Sequence, residues 1–134
     1  MSLSWEQIVI DSADPESLGP WWATILDWVI VNNDPKEFEI RASADVVPGL
    51  LFALVAEPKA AKNRFHLDLR PDDRDAEVAR VIALGATRAD VGQAEESWIA
   101  LADPEGNEFC VLDTVLRATT ERALAERQQW CDRR

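Results

Sequence analysis

The chain has 134 residues, 47% hydrophobic and 29% charged, the make-up of one ordinary globular domain able to bury a core without metal or disulfide staples. No apolar run approaches the ~20 residues of a membrane span, and the start MSLSWEQIVI lacks the basic and apolar regions of a secretory signal, so the cytoplasm is the expected location. A net charge of −11 and a pI near 4.4 would repel phosphate backbones and argue against a nucleic-acid partner.

SWEQIVID, residues 4–11, alternates as a strand, with Ile8 and Ile10 on one face and Trp5, Gln7 and Val9 on the other. Asp14, Pro15 and Glu16 then read as a helix start with Asp14 as N-cap. The buried stripe is expected at Leu18, Trp21, Trp22, Ile25 and Leu26, and Gly19-Pro20 should make the first turns irregular. Strands Trp28–Val31 and Glu37–Arg41 form a hairpin through NNDPK, and GLLFALVA, 49–56, is a further strand closed by the linker EPKAAKN.

The same order then recurs. RFHLDLR is a strand with Phe65, Leu67 and Leu69 on one face and His66 and Asp68 on the other. A helix follows, capped near Asp73, with Val78, Val81 and Ile82 inward and Gly85 as its stop. ATRADV and SWIALAD are the next strands. DPEG carries type I turn chemistry into a last strand, Asn107–Leu112. A 59-residue offset relates Gln7 to His66 and Asp14 to Asp73, the mark of an internal duplication. It gives two βαβββ modules, about 4–56 and 63–113, in one domain, 1–113. Residues 114–134 read as an appended helical extension with sparse apolar positions at Leu116, Leu124 and Trp130 and a cap at Thr119 or Thr120.

Cys110 and Cys131 are far apart and read as two thiols rather than a zinc knuckle or disulfide framework. Core packing is the default for each of the six tryptophans. DDRD, 72–75, reads as capping rather than a cation site. No G-x-G-x-x-G, Walker loop, G-x-S-x-G elbow or H-E-x-x-H is present, which leaves dinucleotide, nucleotide-hydrolase, serine-hydrolase and zincin chemistry without support.

A doubled βαβββ module with NRFHLDLRPDD opening its second half and ADPEGNEFCVL closing it resembles the vicinal oxygen chelate superfamily, in its glyoxalase-like and bleomycin-resistance-like branch. The resemblance covers roughly residues 5–112. It implies an α+β fold in which two βαβββ modules form an eight-stranded curved mixed sheet around an open cup, and it implies a homodimer. It further implies a divalent metal, Ni, Zn, Mn or Fe, held from the first, fourth, fifth and eighth strands. By position these donors are Gln7, a residue near Leu51 or Ala53, His66 and Glu108. Imidazole, carboxylate and amide oxygen suit such an ion in an open site. The fourth strand departs from the pattern because GLLFALVA has no ligating side chain, while Asp45 and Glu57 lie outside it.

Two functions follow from the resemblance. In one, the cup binds a small organic molecule and a metal on Gln7, His66 and Glu108 assists a lyase, isomerase or dioxygenase-type reaction, with Glu108, as catalytic residue, or a bound water moving a proton. In the other, a metal-free cup sequesters an apolar or drug-like molecule without catalysis. The cup lining is expected to include Trp5, Val9, Ala53, Asp68, Trp98 and Cys110.

Overall fold

The structure, a computed structural model, describes residues 2–89 and 98–114. The elements run β1 (Gln7–Ser12), α1 (Pro15–Leu26), β2 (Val29–Asp34), β3 (Glu37–Arg41), β4 (Gly49–Leu54), β5 (Leu67–Leu69), α2 (Arg74–Ala83), β6 (Thr87–Arg88), β7 (Ile99–Ala102) and β8 (Glu108–Val111). The eight strands divide into two four-stranded mixed sheets of the same order, β1-β4-β3-β2 and β5-β8-β7-β6. In each the first strand pairs in parallel with the last and the remaining pairs are antiparallel. The duplication read from the 59-residue offset is therefore realised strand for strand. The fold is α+β, with two open sheets.

The chain forms two compact units. The first runs to Asn63 and also takes in Asp103–Asn107. Its core is built from one stripe of α1 and one face of its sheet: Leu18, Trp22 and Ile25 with Phe38, Ile40, Leu50 and Phe52, all buried. Alternation along β3 and β4 delivers these side chains to the helix side and leaves Glu37, Glu39, Arg41, Leu51 and Ala53 on the other.

Helix α1 is continuous from Pro15 and passes through Pro20, so the irregular start expected from Gly19-Pro20 does not occur. Gly19 serves packing instead. A Cβ placed there would run into the ring of Phe38, so the missing side chain lets β3 approach the helix. Asp14 precedes the helix but makes no side-chain cap bond to the backbone. Its carboxylate accepts from the Ser17 hydroxyl at 2.8 Å. The helix ends on Asp27 in the left-handed region (φ 54°), with the Trp28 N–H reaching back to the Ala23 carbonyl at 2.9 Å.

Strand β2 begins at Val29 and continues to Asp34, three residues past the expected end at Val31. Only Pro35 and Lys36 remain as turn. The Asn32 and Asp34 side chains accept from the N–H groups two residues on, at 3.0 and 2.8 Å. These polar residues thus act as turn formers while their backbones stay in the ladder. The register shifts between Ile30 and Asn32. Of the tryptophans, Trp22 alone reaches the core among the described residues. Trp21 is half-buried, edge-on to it at 5.2 Å, and Trp5 is largely exposed, ahead of β1.

The second unit contains the described residues from Arg64 to Ala102 and from Glu108 on. Val78 and Val81 of α2 are buried, as are Leu101, Phe109 and Val111 of its sheet. The Asp73 carboxylate caps α2 by accepting from the Ala76 N–H at 3.1 Å, as expected of DDRD, and Gly85 (φ 117°) follows its end. Two expectations need correction. β5 is only three residues long, so Phe65 lies outside it and is 93% exposed rather than helix-facing. Ile82 is at the edge of the helix stripe and is exposed.

No helix among the described residues is long and apolar enough to cross a membrane. The expected C-terminal helix, with Leu116, Thr119, Thr120, Leu124, Trp130 and Cys131, lies outside the described residues, as do residues 90–97 of the sixth strand and the segment after it.

Candidate functional site

The parallel ladder of the second sheet decides which side chains meet. Leu67 pairs with Phe109, Asp68 with Cys110 and Leu69 with Val111. Directly paired residues of adjacent strands share a face, so Phe109 and Val111 turn with Leu67 and Leu69 toward α2, while Asp68 and Cys110 occupy the helix-free face. β7 continues that face with Ala100 opposite Cys110 and Ala102 opposite Glu108. His66 is the residue before β5, in alternation with Asp68, and the same register extended by one step sets it opposite Glu108.

The result is a compact group. His66 Nδ1 lies 3.2 Å from Asp68 Oδ1 and 3.9 Å from Cys110 Sγ. One ligand atom from each of the three residues falls within 4.8 Å of the others. The side chains of His66 and Asp68 are about half exposed, whereas Cys110 is buried. Glu108 is half-buried. Trp98 is half-buried just ahead of β7.

The first sheet carries different chemistry at the corresponding places. Gln7 pairs with Gly49, Val9 with Leu51 and Asp11 with Ala53. The 59-residue offset equates Gln7 with His66, Val9 with Asp68, Gly49 with Glu108 and Leu51 with Cys110. The position on β4 that corresponds to Glu108 is therefore Gly49, rather than Leu51 or Ala53. It has no side chain, and a Cβ built there would stand 3.0 Å from both Arg41 Cγ and the Ile40 carbonyl oxygen. The stem of Arg41 fills the space. Its Nε donates to Glu39 at 2.9 Å and its Nη2 to Glu6 at 3.2 Å.

A four-strand metal pattern thus does not fit this chain, since the β4 position offers no donor and is covered by a residue that itself carries positive charge. Glu39 escaped the sequence reading. It is 7% exposed although it lies on the helix-free face. Its signal is the alternation Phe38-Glu39-Ile40-Arg41, which sets an acid and a base on one side of a strand whose other side is apolar.

The DPEG segment proves to be structural. The Gly106 N–H closes the turn on the Asp103 carbonyl at 2.9 Å. The Asp103 carboxylate, buried, accepts from the Glu105 and Asn107 backbone N–H groups, from the Asn107 amide and from the Trp22 indole, each at 2.9 Å. Glu105 accepts from the Ser12 hydroxyl and the Ala13 N–H, just ahead of α1.

The fold and these segments have known counterparts. The family described as "Glyoxalase-like domain" matches residues 7–112. No curated protein matches the sequence. Among solved structures, a glyoxalase/bleomycin resistance protein/dioxygenase family enzyme from Burkholderia phytofirmans PsJN is 17% identical, covering 82% of this chain and 98% of its own, with a TM-score of 0.65. The trypanothione-dependent glyoxalase I of Leishmania major is 13% identical over 98% of this chain and 99% of its own, with a TM-score of 0.67. TnmS3, an antibiotic binding protein from Streptomyces sp. CB03234, is 18% identical over 86% and 99%, with a TM-score of 0.57. At such identities the structures share a fold. The duplicated βαβββ order, together with the family match across residues 7–112, means that this chain belongs to the glyoxalase-like family of the vicinal oxygen chelate superfamily.

Proposed function

We propose that this chain binds a small organic molecule against the helix-free faces of its sheets. The observation that carries this reading is the contrast between the two faces of the first sheet. On the helix side Phe38, Ile40, Leu50 and Phe52 are packed away, while on the other Val9 is 53% exposed beside its register partner Leu51. Apolar side chains gathered next to a few fixed polar groups are what a ligand site needs. Trp5 and Ala53 would extend the apolar contact, and Glu39 with Arg41 would supply fixed polarity. The antibiotic-binding relative supports the same reading by analogy of fold alone.

The test is a tryptophan-fluorescence titration with bleomycin and a panel of uncharged aromatic compounds, all in excess chelator. A saturable change is expected, weakened tenfold or more in Val9→Asp while the thermal midpoint stays put. Silence across the panel sinks the proposal.

A catalytic reading has its own support: the extended register sets Glu108 opposite His66, so a carboxylate able to move a proton would neighbour an imidazole. This reading rests on the two side chains themselves and involves no metal. Glu108→Gln should then abolish turnover of any substrate found while leaving its binding intact.

A further inference from the structure

We infer that His66, Asp68 and Cys110 form a thiolate-containing site for a zinc-like divalent ion, a donor set distinct from Gln7, His66 and Glu108. This inference does not rest on the small-molecule reading. Asp68 and Cys110 are direct ladder partners, and His66 stands two residues before Asp68, so strand geometry and not a chance rotamer brings the three together. The distances already approach those of a coordination shell. A tetrahedral ion with bonds of about 2.0 Å to nitrogen and oxygen and about 2.3 Å to sulfur has N···O edges of about 3.3 Å and N···S edges of about 3.5 Å. The N···O separation is 3.2 Å and the N···S separation 3.9 Å. The third edge, from Asp68 to Cys110 Sγ, lies within 4.8 Å, and a side-chain adjustment that draws these two donors toward the ion would complete the triangle.

The chemistry of the donors narrows the ion. One imidazole, one carboxylate and one thiolate favour a borderline or soft metal over magnesium or calcium, which take oxygen. Three protein ligands leave a fourth position for water or a ligand oxygen. The half-exposed His66 and Asp68 place that position on the solvent side, while buried Cys110 anchors the ion from beneath. On binding, the Cys110 S–H proton is lost to solvent and His66 coordinates as neutral imidazole, with no change of oxidation state.

Cobalt(II) is the probe, because a cobalt–thiolate bond gives a near-ultraviolet charge-transfer band that nitrogen and oxygen ligands do not. The full chain, stripped with chelator, should take up one equivalent of Co²⁺ with that band, and Zn²⁺ should displace it. Cys110→Ser should lose the band. Asp68→Asn, at a half-exposed position, should weaken Co²⁺ binding by more than about 100-fold, beyond the 10–100-fold typical of losing a group that only supports a ligand. Gln7→Ala should change neither.

Failure of Co²⁺ or Zn²⁺ to bind at micromolar concentration overturns the inference. So does uptake without the thiolate band that is lost in Gln7→Ala or Glu108→Gln, which would return the ion to the family positions. Persistence of the band in Cys110→Ser, pointing to Cys131, overturns it equally. None of these outcomes touches the chelator-insensitive ligand binding proposed above.

Discussion

Replacing Asp103 by alanine is expected to destabilise the protein by about 3–5 kcal/mol. The carboxylate is buried and accepts four hydrogen bonds. Its loss removes the acceptor that the indole N–H of Trp22, one of the most deeply buried side chains, uses at 2.9 Å. An unpaired buried donor costs about 1–3 kcal/mol, and hydrogen bonds to a charged acceptor contribute about 1.5–3 kcal/mol each before compensation. The Glu105 and Asn107 N–H groups are nearer to solvent and recover part of their loss through water. Trp22→Phe removes one donor and leaves the carboxylate three others, so about 1–2 kcal/mol is expected. Chemical denaturation of both single variants and the double variant checks this. The double variant should be less destabilised than the sum by about 1–2 kcal/mol, the coupling of two side chains that touch. Strict additivity would mean that the indole bond contributes nothing.

Gly19→Ala is the second. On an exposed helix this change gains up to ~1 kcal/mol, and here it should cost about 2–4 kcal/mol. The new methyl would meet the Phe38 ring, which is itself buried. Overpacking of this kind costs about 1–3 kcal/mol and forces backbone shifts, and the separation of α1 from the sheet would open contacts around Ile40 and Phe52. Adding Phe38→Leu should recover much of the loss by vacating the ring's place. If Gly19→Ala proves neutral in denaturant melts, the close approach of helix and strand is not what holds this layer together.

The duplication was legible in the sequence because caps and turns are local: Asp73, Gly85 and DPEG each announce themselves within a few residues. So were the two faces of β1, since a period of two needs no partner. What escaped depends on pairing between distant segments. Gly49 as the counterpart of Glu108 follows from register, and no residue in GLLFALVA signals where the ladder begins. Phe65 looked like a strand position because its type and alternation fit, yet β5 is only as long as its pairing with β8. The closeness of His66, Asp68 and Cys110 was half visible. His66 and Asp68 share a face by alternation, whereas Cys110 joins them only through the parallel register. Asp103 was concealed by its own motif, since turn chemistry accounts for an aspartate before proline and gives no hint of an indole 81 residues away.

That indole has a consequence for how the chain is made. The amino-terminal unit includes Asp103–Asn107, so the acceptor for Trp22 and the carboxylate that binds Ser12 and Ala13 are synthesised only after α2 and β7. Domains commonly fold in order as they leave the ribosome. Here the first unit stays incomplete until residue 107 has been added, because the Asp103 carboxylate that accepts from the Trp22 indole comes from the far side of the duplication. Closing so long a loop before its contacts are gained is slow. The amino-terminal unit therefore gains the last of these contacts only after most of the second half has been made.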